Sequence, residues 1–215
     1  CSDTGGGIQR GANWGPLFIR EKILKGRMAQ DYFDLGDVRV IPHLLHDKYL
    51  NNKTIESCQN ALYQTTNNLP VSPLSIAETA LDNIYQQKNK IQIFGLGGDH
   101  SVSYPLVKSY LKSKKAQGLR CGLIHFDAHT DLLKSRLGID LCFGSWLTHV
   151  LDDFESPSHV AQFGIRSTGK SKQHWQDTFG VTQYWADEIK QQGIEVFCHQ
   201  VIQHFQAENI DELYI

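Results

Sequence analysis

Short apolar runs alternate with longer amphipathic stretches along most of the chain. The apolar runs predict strands at Asp37–Ile41, Ile91–Leu96, Cys121–Phe126, Val160–Ile165, Gly193–Phe197 and Glu212–Ile215. The amphipathic stretches predict helices at Gly15–Gly26, Ile55–Asn67, Ser75–Lys88, Val102–Ala116, Gly144–Leu151 and Trp185–Gln192. This alternation is typical of a parallel sheet covered by helices, and nearly continuous apolar strands fit a sheet that is buried on both faces. The pattern therefore predicts an α/β fold with a mainly parallel sheet.

Length and composition indicate what class of protein this fold belongs to. The chain has 215 residues, of which 40% are hydrophobic and 20% charged, and this is enough for one globular domain over residues 1–215. A net charge of −2 does not favour nucleic acid or an anionic membrane as a partner. No apolar run approaches the roughly 20 residues of a membrane helix. Because the chain starts at Cys1 and stops within an apolar run, we expect it to be a piece of a longer protein.

The cysteine pattern gives information on the cellular compartment. Their number is odd, their spacing is wide and no Cys-x-x-Cys pair occurs; they are Cys1, Cys58, Cys121, Cys142 and Cys198. This pattern is neither a disulfide framework nor a thiolate zinc site, and it favours a reducing cytoplasm.

Polar residues follow two of the predicted strands, where parallel sheets usually bind their ligands. The first such segment is Gly95–Ser101, with the sequence Gly-Leu-Gly-Gly-Asp-His-Ser. It does not complete a dinucleotide-binding Gly-x-Gly-x-x-Gly motif, because His100 takes the place of the last glycine. His100 is a candidate ligand or catalytic group. Asp99 and Ser101 fit that site and the simple capping of the next helix equally well.

The second segment is Asp127–Asp131, with the sequence Asp-Ala-His-Thr-Asp. In an extended backbone Asp127, His129 and Asp131 would project to one face. Two carboxylates on one face repel each other unless a proton or a cation neutralises them. With an imidazole beside them, they favour a divalent ion such as Mn(II), Fe(II), Co(II) or Zn(II), and Ca(II) less well. Solvated loop carboxylates beside a surface histidine are the simpler alternative.

The two segments together offer His100, Asp127, His129 and Asp131 as ligands. Four groups suffice for one metal ion, and a shared carboxylate would allow two ions with a nucleophilic water between them. A serine nucleophile is not indicated, since the chain has no Gly-x-Ser-x-Gly motif.

These two segments resemble the signatures of the ureohydrolases, the family of arginase, agmatinase and formimidoylglutamase. The matching residues are Gly97–Ser101 and Asp127–Asp131. The family's N-terminal segment is similar to residues 11–20, and its Asp-Leu-Gly-Asp and Gly-Ile-Arg-Ser stretches are similar to residues 34–37 and 164–167. The resemblance implies an arginase-like, three-layer α/β/α fold.

The resemblance also implies a site and a reaction. His100 would bind a first Mn(II) ion, His129 a second, Asp127 would bridge both, and Asp131 would complete the first ion's ligands. Asp127 and His129 would thereby serve catalysis. A metal-bridging hydroxide would attack the carbon of a guanidino or formimino group in a small linear substrate and break a non-peptide C–N bond. Members of the family usually form trimers or hexamers.

Two departures from the family pattern are visible. The family's third metal motif, Ser-x-Asp-x-Asp, would follow a strand similar to Glu212–Ile215, where this chain stops. Arginases and agmatinases typically carry a histidine where this chain has Phe143, whereas formimidoylglutamases lack it. We expect His149 to be an ordinary histidine rather than its substitute. The departures leave open a catalytically impaired member or fragment that acts as a binding or assembly module.

Overall fold

The computed structural model describes residues 2–7, 10–26, 32–65, 67–88, 90–136 and 138–215. The chain divides into two compact units. The first comprises the described residues up to Leu106 together with Leu141–Phe143, and the second comprises Val107–Asp140 and Gly144–Ile215. Cys1 lies outside the described residues, and the other four cysteines are free thiols.

The first unit is helical where its secondary structure is regular. It contains α1 (Gly15–Lys25), α2 (Asn52–Tyr63), α3 (Pro73–Gln87) and the first residues of α4 (Ser103–Ala116). Asn51 caps α2 because its side chain accepts a hydrogen bond from the Thr54 N–H. The four predicted helices are confirmed in this part, with ends shifted by a few residues.

The second unit is built on a four-stranded parallel sheet. Its strands are β1 (Cys121–Phe126), β2 (Val160–Ile165), β3 (Thr182–Trp185) and β4 (Glu212–Tyr214), and their order is β3-β2-β1-β4. The α/β fold with a parallel sheet is thus confirmed. The end of α4 precedes β1, α5 (Lys172–Phe179) lies between β2 and β3, and α6 (Ala186–Gln192) and α7 (Ile194–Ala207) lie between β3 and β4 along the chain. No helix among the described residues is both long and apolar enough to span a membrane.

One face of this sheet packs against α7. The buried residues of this core come from β2, β3 and α7, and they are Ala161, Phe163, Tyr184, Phe197, Val201 and Phe205. The predicted strand Gly193–Phe197 is therefore wrong, because residues 194–207 form a helix. Phe197, Val201 and Phe205 recur every fourth residue, which is the period of one helix face, and this repeat outweighs the short apolar run before it.

Three further predictions are wrong. Asp37–Ile41 and Ile91–Leu96 form no strand, and neither segment pairs with another strand in the described part of the chain. A strand needs a hydrogen-bonded neighbour, and without one Phe94 is 83% exposed despite its apolar context. Gly144–Leu151 forms short 3-10 turns instead of an α-helix. In this segment the Thr148 hydroxyl donates a hydrogen bond to the Ser145 carbonyl oxygen, a local side-chain contact of the kind that competes with regular helix hydrogen bonding.

Candidate metal centre

The candidate site lies where β1 ends. One ligand atom each from His125, Asp127 and Asp131 can be chosen so that all lie within 4.8 Å of one another. His125 is the fifth residue of β1, Asp127 follows the strand directly, and Asp131 comes four residues later. The carboxyl end of a central parallel strand is the usual place for a ligand in such a sheet. The structure thus gathers two carboxylates and an imidazole at the expected edge.

Asp131 is held in place by a tryptophan. Its side chain is buried, and Oδ2 accepts a hydrogen bond of 2.7 Å from the indole Nε1 of Trp146. The Asp131 backbone has φ of +52°, in the left-handed region that aspartate tolerates better than most residues. The segment is therefore a turn at this point, and the extended backbone expected from Asp127 to Asp131 is not observed. A buried carboxylate with a left-handed backbone is the kind of local strain that accumulates at functional sites.

The Asp127 carboxylate contacts a different histidine with each oxygen. Oδ2 lies 3.4 Å from His125 Nε2, and Oδ1 lies 3.4 Å from His129 Nδ1. Oδ1 also accepts a hydrogen bond of 3.0 Å from the backbone N–H of His129. Asp127 is thus oriented by the turn itself, with an imidazole on each side.

His129 differs from the other residues of the site in its exposure. Its side chain is 60% exposed, whereas that of His125 is 5% exposed. It does not belong to the group of three whose ligand atoms converge, although its ring lies beside Asp127. The structure therefore places the predicted His129 at the solvent side of the Asp127 carboxylate.

His100 belongs to the first unit. It begins a short 3-10 turn that leads into α4, and Asp99 caps this turn through a hydrogen bond of 2.9 Å from the Ser101 N–H to Oδ1. The capping alternative for Asp99 is thus what the structure shows. A Cβ atom at Gly98 would collide with the Ser2 carbonyl oxygen, so this turn needs a glycine for close backbone packing.

Two other residues named from the sequence, Phe143 and His149, form hydrogen bonds with backbone carbonyl oxygens. The backbone N–H of Phe143 donates to the Gly5 carbonyl oxygen at 3.3 Å. His149 Nε2 lies 3.0 Å from the Asp140 carbonyl oxygen. Because a carbonyl oxygen only accepts, Nε2 must carry the proton, and His149 is engaged as an ordinary structural histidine.

Sequence reasoning missed the roles of His125 and Trp146, and of two glutamines that are hydrogen-bonded in a chain to His125. Gln162 Nε2 lies 2.9 Å from His125 Nδ1, and Gln183 donates to Gln162 Oε1 at 2.7 Å. A signal was present, because His125 and Gln162 interrupt apolar strands at positions that are buried. Polar residues buried in a parallel sheet need hydrogen-bonding partners, so their presence in the sequence indicates a buried hydrogen-bond network.

The donor set fits a divalent cation. Carboxylate oxygens and imidazole nitrogens without thiolate are suited to ions such as Mn(II), and two carboxylates in one cluster repel each other when no cation lies between them. His100, Asp127, His129 and Asp131 remain the predicted ligands, and the structure adds His125 beside Asp127.

Comparisons with known proteins agree with this chemistry. The agmatinase of Bacillus cereus is 35% identical over 123 residues, which are 55% of this chain and 41% of that protein. The formimidoylglutamase of Halalkalibacterium halodurans is 26% identical over 141 residues, which are 64% of this chain and 42% of that protein. The match therefore spans about two fifths of the length of these curated relatives.

The fold has a counterpart among solved structures. The crystal structure of arginase from Bacillus subtilis matches with a TM-score of 0.65 and covers 98% of this chain and 69% of that chain. At 21% identity this likeness shows the fold, and the arginase-like fold predicted from the sequence is confirmed. A family model described as "Arginase family" matches residues 1–215. Since this match extends over all 215 residues and includes the converging carboxylates, the chain belongs to the arginase family.

Proposed function

We propose that the chain is the metal-binding part of a hydrolase that cleaves a linear, non-peptide C–N bond in a guanidino or formimino group. The observation that carries this proposal is the convergence of Asp127 and Asp131 beside an imidazole at the end of β1. The relatives named agmatinase and formimidoylglutamase support hydrolysis of such groups. A single arginase-like domain over residues 1–215 is part of the proposal, supported by the extent of the family match.

The proposed ligands are His100, Asp127, His129 and Asp131, and the proposed metal is Mn(II), with two ions in the complete protein. Asp127 suits a bridging role because its two oxygens face opposite sides, one toward His125 and one toward the exposed His129. When bound, such ions supply Lewis acidity and lower the pKa of water in the site. Asp127 and His129 are the residues to which we assign the catalytic role.

The other residues of the site prepare these ligands. The Trp146 indole fixes Asp131 Oδ2 and the His129 N–H fixes Asp127 Oδ1, so the carboxylates need little reorganisation when a cation arrives. The 60% exposure of the His129 side chain supports access by a small substrate. A cytoplasmic location and a trimer or hexamer belong to the same proposal on family grounds.

The test is Mn(II) binding to the chain and to two variants, Asp127→Asn and His129→Ala. Since each change removes a proposed ligand, we expect affinity to fall about 100-fold, or about 2.7 kcal/mol, by isothermal titration calorimetry. Asp177→Asn and His174→Ala are matched controls, because both residues are exposed on α5. Unchanged Mn(II) content in both site variants would refute the assignment.

The substrate is tested separately on the full-length protein. A panel of arginine, agmatine, guanidinobutyrate and formimidoylglutamate with Mn(II) covers the guanidino and formimino classes. Release of urea or formamide from one of them supports the proposed reaction, and the identity of that substrate places the protein within the family.

A second candidate function is a catalytically impaired member that retains the fold as a binding or assembly module. Phe143 favours it, because no imidazole is available at the position where arginases and agmatinases carry one, and His149 is engaged with the Asp140 carbonyl oxygen. Mn(II) binding without turnover of any substrate in the panel would favour this candidate over the hydrolase.

A further inference from the structure

A row of buried polar side chains crosses the sheet of the second unit. His125 on β1 is the register partner of Gln162 on β2, which is the register partner of Gln183 on β3. Their exposures are 5%, 0% and 1%. We call these three residues the polar ladder. Three buried polar residues in the middle of a parallel sheet are costly unless each one is hydrogen-bonded, so the ladder requires an explanation.

The direction of every hydrogen bond in the ladder is fixed from one end. The indole Nε1 of Trp185 can only donate, and it lies 3.1 Å from Gln183 Oε1. The Gln183 amide is thereby oriented with its oxygen toward Trp185, and its Nε2 donates to Gln162 Oε1 at 2.7 Å. The Gln162 Nε2 must then face the other way.

The last hydrogen bond of the polar ladder joins Gln162 to His125. Gln162 Nε2 donates to the Thr130 carbonyl oxygen at 2.6 Å and lies 2.9 Å from His125 Nδ1. An amide N–H opposite a ring nitrogen is a hydrogen bond only if that nitrogen is unprotonated. Nδ1 of His125 is therefore the unprotonated nitrogen, and the ring proton is on Nε2, which lies 3.4 Å from Asp127 Oδ2.

We propose that His125 is a positioning residue for the metal centre and not one of its ligands. A ring nitrogen that carries a proton has no lone pair to offer a metal ion. The contact of His125 Nε2 with Asp127 at 3.4 Å does not have hydrogen-bond geometry, so its N–H acts on the carboxylate by electrostatic attraction, and this attraction favours one orientation of Asp127. The polar ladder sets this tautomer from Trp185 across three strands. The part on metal affinity rests on the proposed function, whereas the tautomer does not.

The same ring also connects the supports of the two carboxylates. Its centroid lies 5.3 Å from that of Trp146 in an edge-to-face contact with an interplanar angle of 79°. Trp146 in turn donates to Asp131. His125 thus contacts Asp127 directly and packs against the residue that fixes Asp131, which explains why a histidine is buried here.

The tautomer is tested on the wild-type chain without added metal. Nitrogen NMR of protein with labelled histidine distinguishes a protonated from an unprotonated ring nitrogen, and loss of the signals in His125→Gln assigns them. At a pH about two units above the ordinary histidine pKa of about 6.5, we expect His125 to have a protonated Nε2 and an unprotonated Nδ1. A proton on Nδ1 would overturn the proposal without involving any variant's stability.

The positioning role is tested by Mn(II) affinity in His125→Leu and His125→Gln. Leucine removes the donor near Asp127, and we expect affinity to fall about 10- to 100-fold, as for other residues that orient metal ligands. Glutamine restores an N–H near the position of Nε2 and should keep affinity within about threefold of wild type, by this same reasoning. Circular dichroism checks that both variants are folded.

The outcomes separate this inference from the proposed function. Equal loss in His125→Leu and His125→Gln would identify His125 as a ligand and overturn the proposal, and so would unchanged affinity in both. A wild-type chain that binds no Mn(II) would overturn the proposed function and, with it, the effect on affinity. The NMR measurement would still decide whether the polar ladder sets the tautomer.

Discussion

Two polar clusters lie at opposite ends of β1, and they differ in how their charges are arranged. Next to the first residue of the strand, Lys114 Nζ lies 2.7 Å from Glu212 Oε2, and Tyr110 donates to the same oxygen at 3.2 Å. Beyond its last residue, Asp127 and Asp131 converge beside an imidazole. The first cluster joins opposite charges and holds α4 to β4. The second brings like charges together, which lowers the stability of the fold unless a cation or a proton neutralises them. This difference in charge distinguishes a structural ion pair from a candidate site.

The titration behaviour of the first cluster agrees with a structural role. Burial raises the pKa of the Cys121 thiol to about 11, and burial also raises the pKa of the Tyr110 hydroxyl well above its usual range. Neither group exchanges protons near neutral pH, so neither can act as an acid or base there. Buried ionisable groups are therefore not sufficient evidence of a site, and the sign of neighbouring charges is more informative.

The largest expected change in stability comes from a substitution that breaks the ion pair of the first cluster. Glu212→Gln would leave the Lys114 ammonium, whose side chain is 6% exposed, without its carboxylate partner. Loss of one partner from a buried pair is expected to lower the free energy of unfolding by about 3 kcal/mol. Lys114→Met should cost less, because Glu212 is 39% exposed and can be hydrated. Urea denaturation at neutral pH measures both, and equal costs would contradict this asymmetry.

The second prediction has the opposite sign and concerns the second cluster. Asp131→Asn removes one of two neighbouring negative charges, while the asparagine Oδ1 can still accept the hydrogen bond from Trp146. Without metal we expect the variant to be more stable than wild type by at least about 1 kcal/mol, because two like charges about 4 Å apart repel by that much in water and the burial of Asp131 strengthens the repulsion. The measurement is urea denaturation at low ionic strength.

The control for this prediction is Asp131→Ala, which removes the charge together with the acceptor for the Trp146 indole. A variant that loses the acceptor leaves a buried donor unsatisfied and should not be stabilised. If Asp131→Asn were as destabilising as Glu212→Gln, the two clusters would not differ in the way described above.

The sequence was sufficient for the elements whose pattern is local. Cys121–Phe126 and Val160–Ile165 were recognisable as strands because they are short apolar runs, and Asp127 and Asp131 stood out as carboxylates that come after a predicted strand. The polar ladder was not recognisable, because His125 and Gln162 become neighbours only through the register of β1 and β2. Register depends on which strands pair, and a single sequence does not contain that information directly.

A second kind of miss has a different physical cause. β3 (Thr182–Trp185) has only four residues, and α7 begins with an apolar run that looks like a strand on its own. In α7 the buried positions Val201 and Phe205, which continue the helical face that Phe197 begins, come only after that run has ended. Tertiary packing decided the outcome, as it often does for short apolar segments.

The smallest expected change in stability concerns a more exposed ion pair, which can be compared with the buried pair of the first cluster. Lys172 Nζ lies 2.7 Å from Glu188 Oε2, which is the same length as the Lys114–Glu212 pair, but the two side chains are 30% and 37% exposed. The Trp185 N–H also donates to Glu188 Oε2 at 2.9 Å. Partial burial by itself would raise the pKa of Glu188, yet the hydrogen bonds from Lys172 and Trp185 outweigh it and leave the pKa lowered.

This direction fixes the pH dependence of Glu188→Gln. A carboxyl whose pKa is lower in the folded chain than in the unfolded chain stabilises the fold above its ordinary pKa, and that stability is lost as the pH falls through the lowered value. We expect the variant to be less stable by about 0.5 kcal/mol at neutral pH and equal to wild type in acid. Urea denaturation across pH measures this difference, with Glu195→Gln on α7 as the matched exposed control. A difference that persists unchanged into acid would show that Glu188 acts through packing. A difference that disappears in acid, and that is much smaller at neutral pH than the effect of Glu212→Gln, would show that burial makes ion pairs of equal length contribute differently to stability.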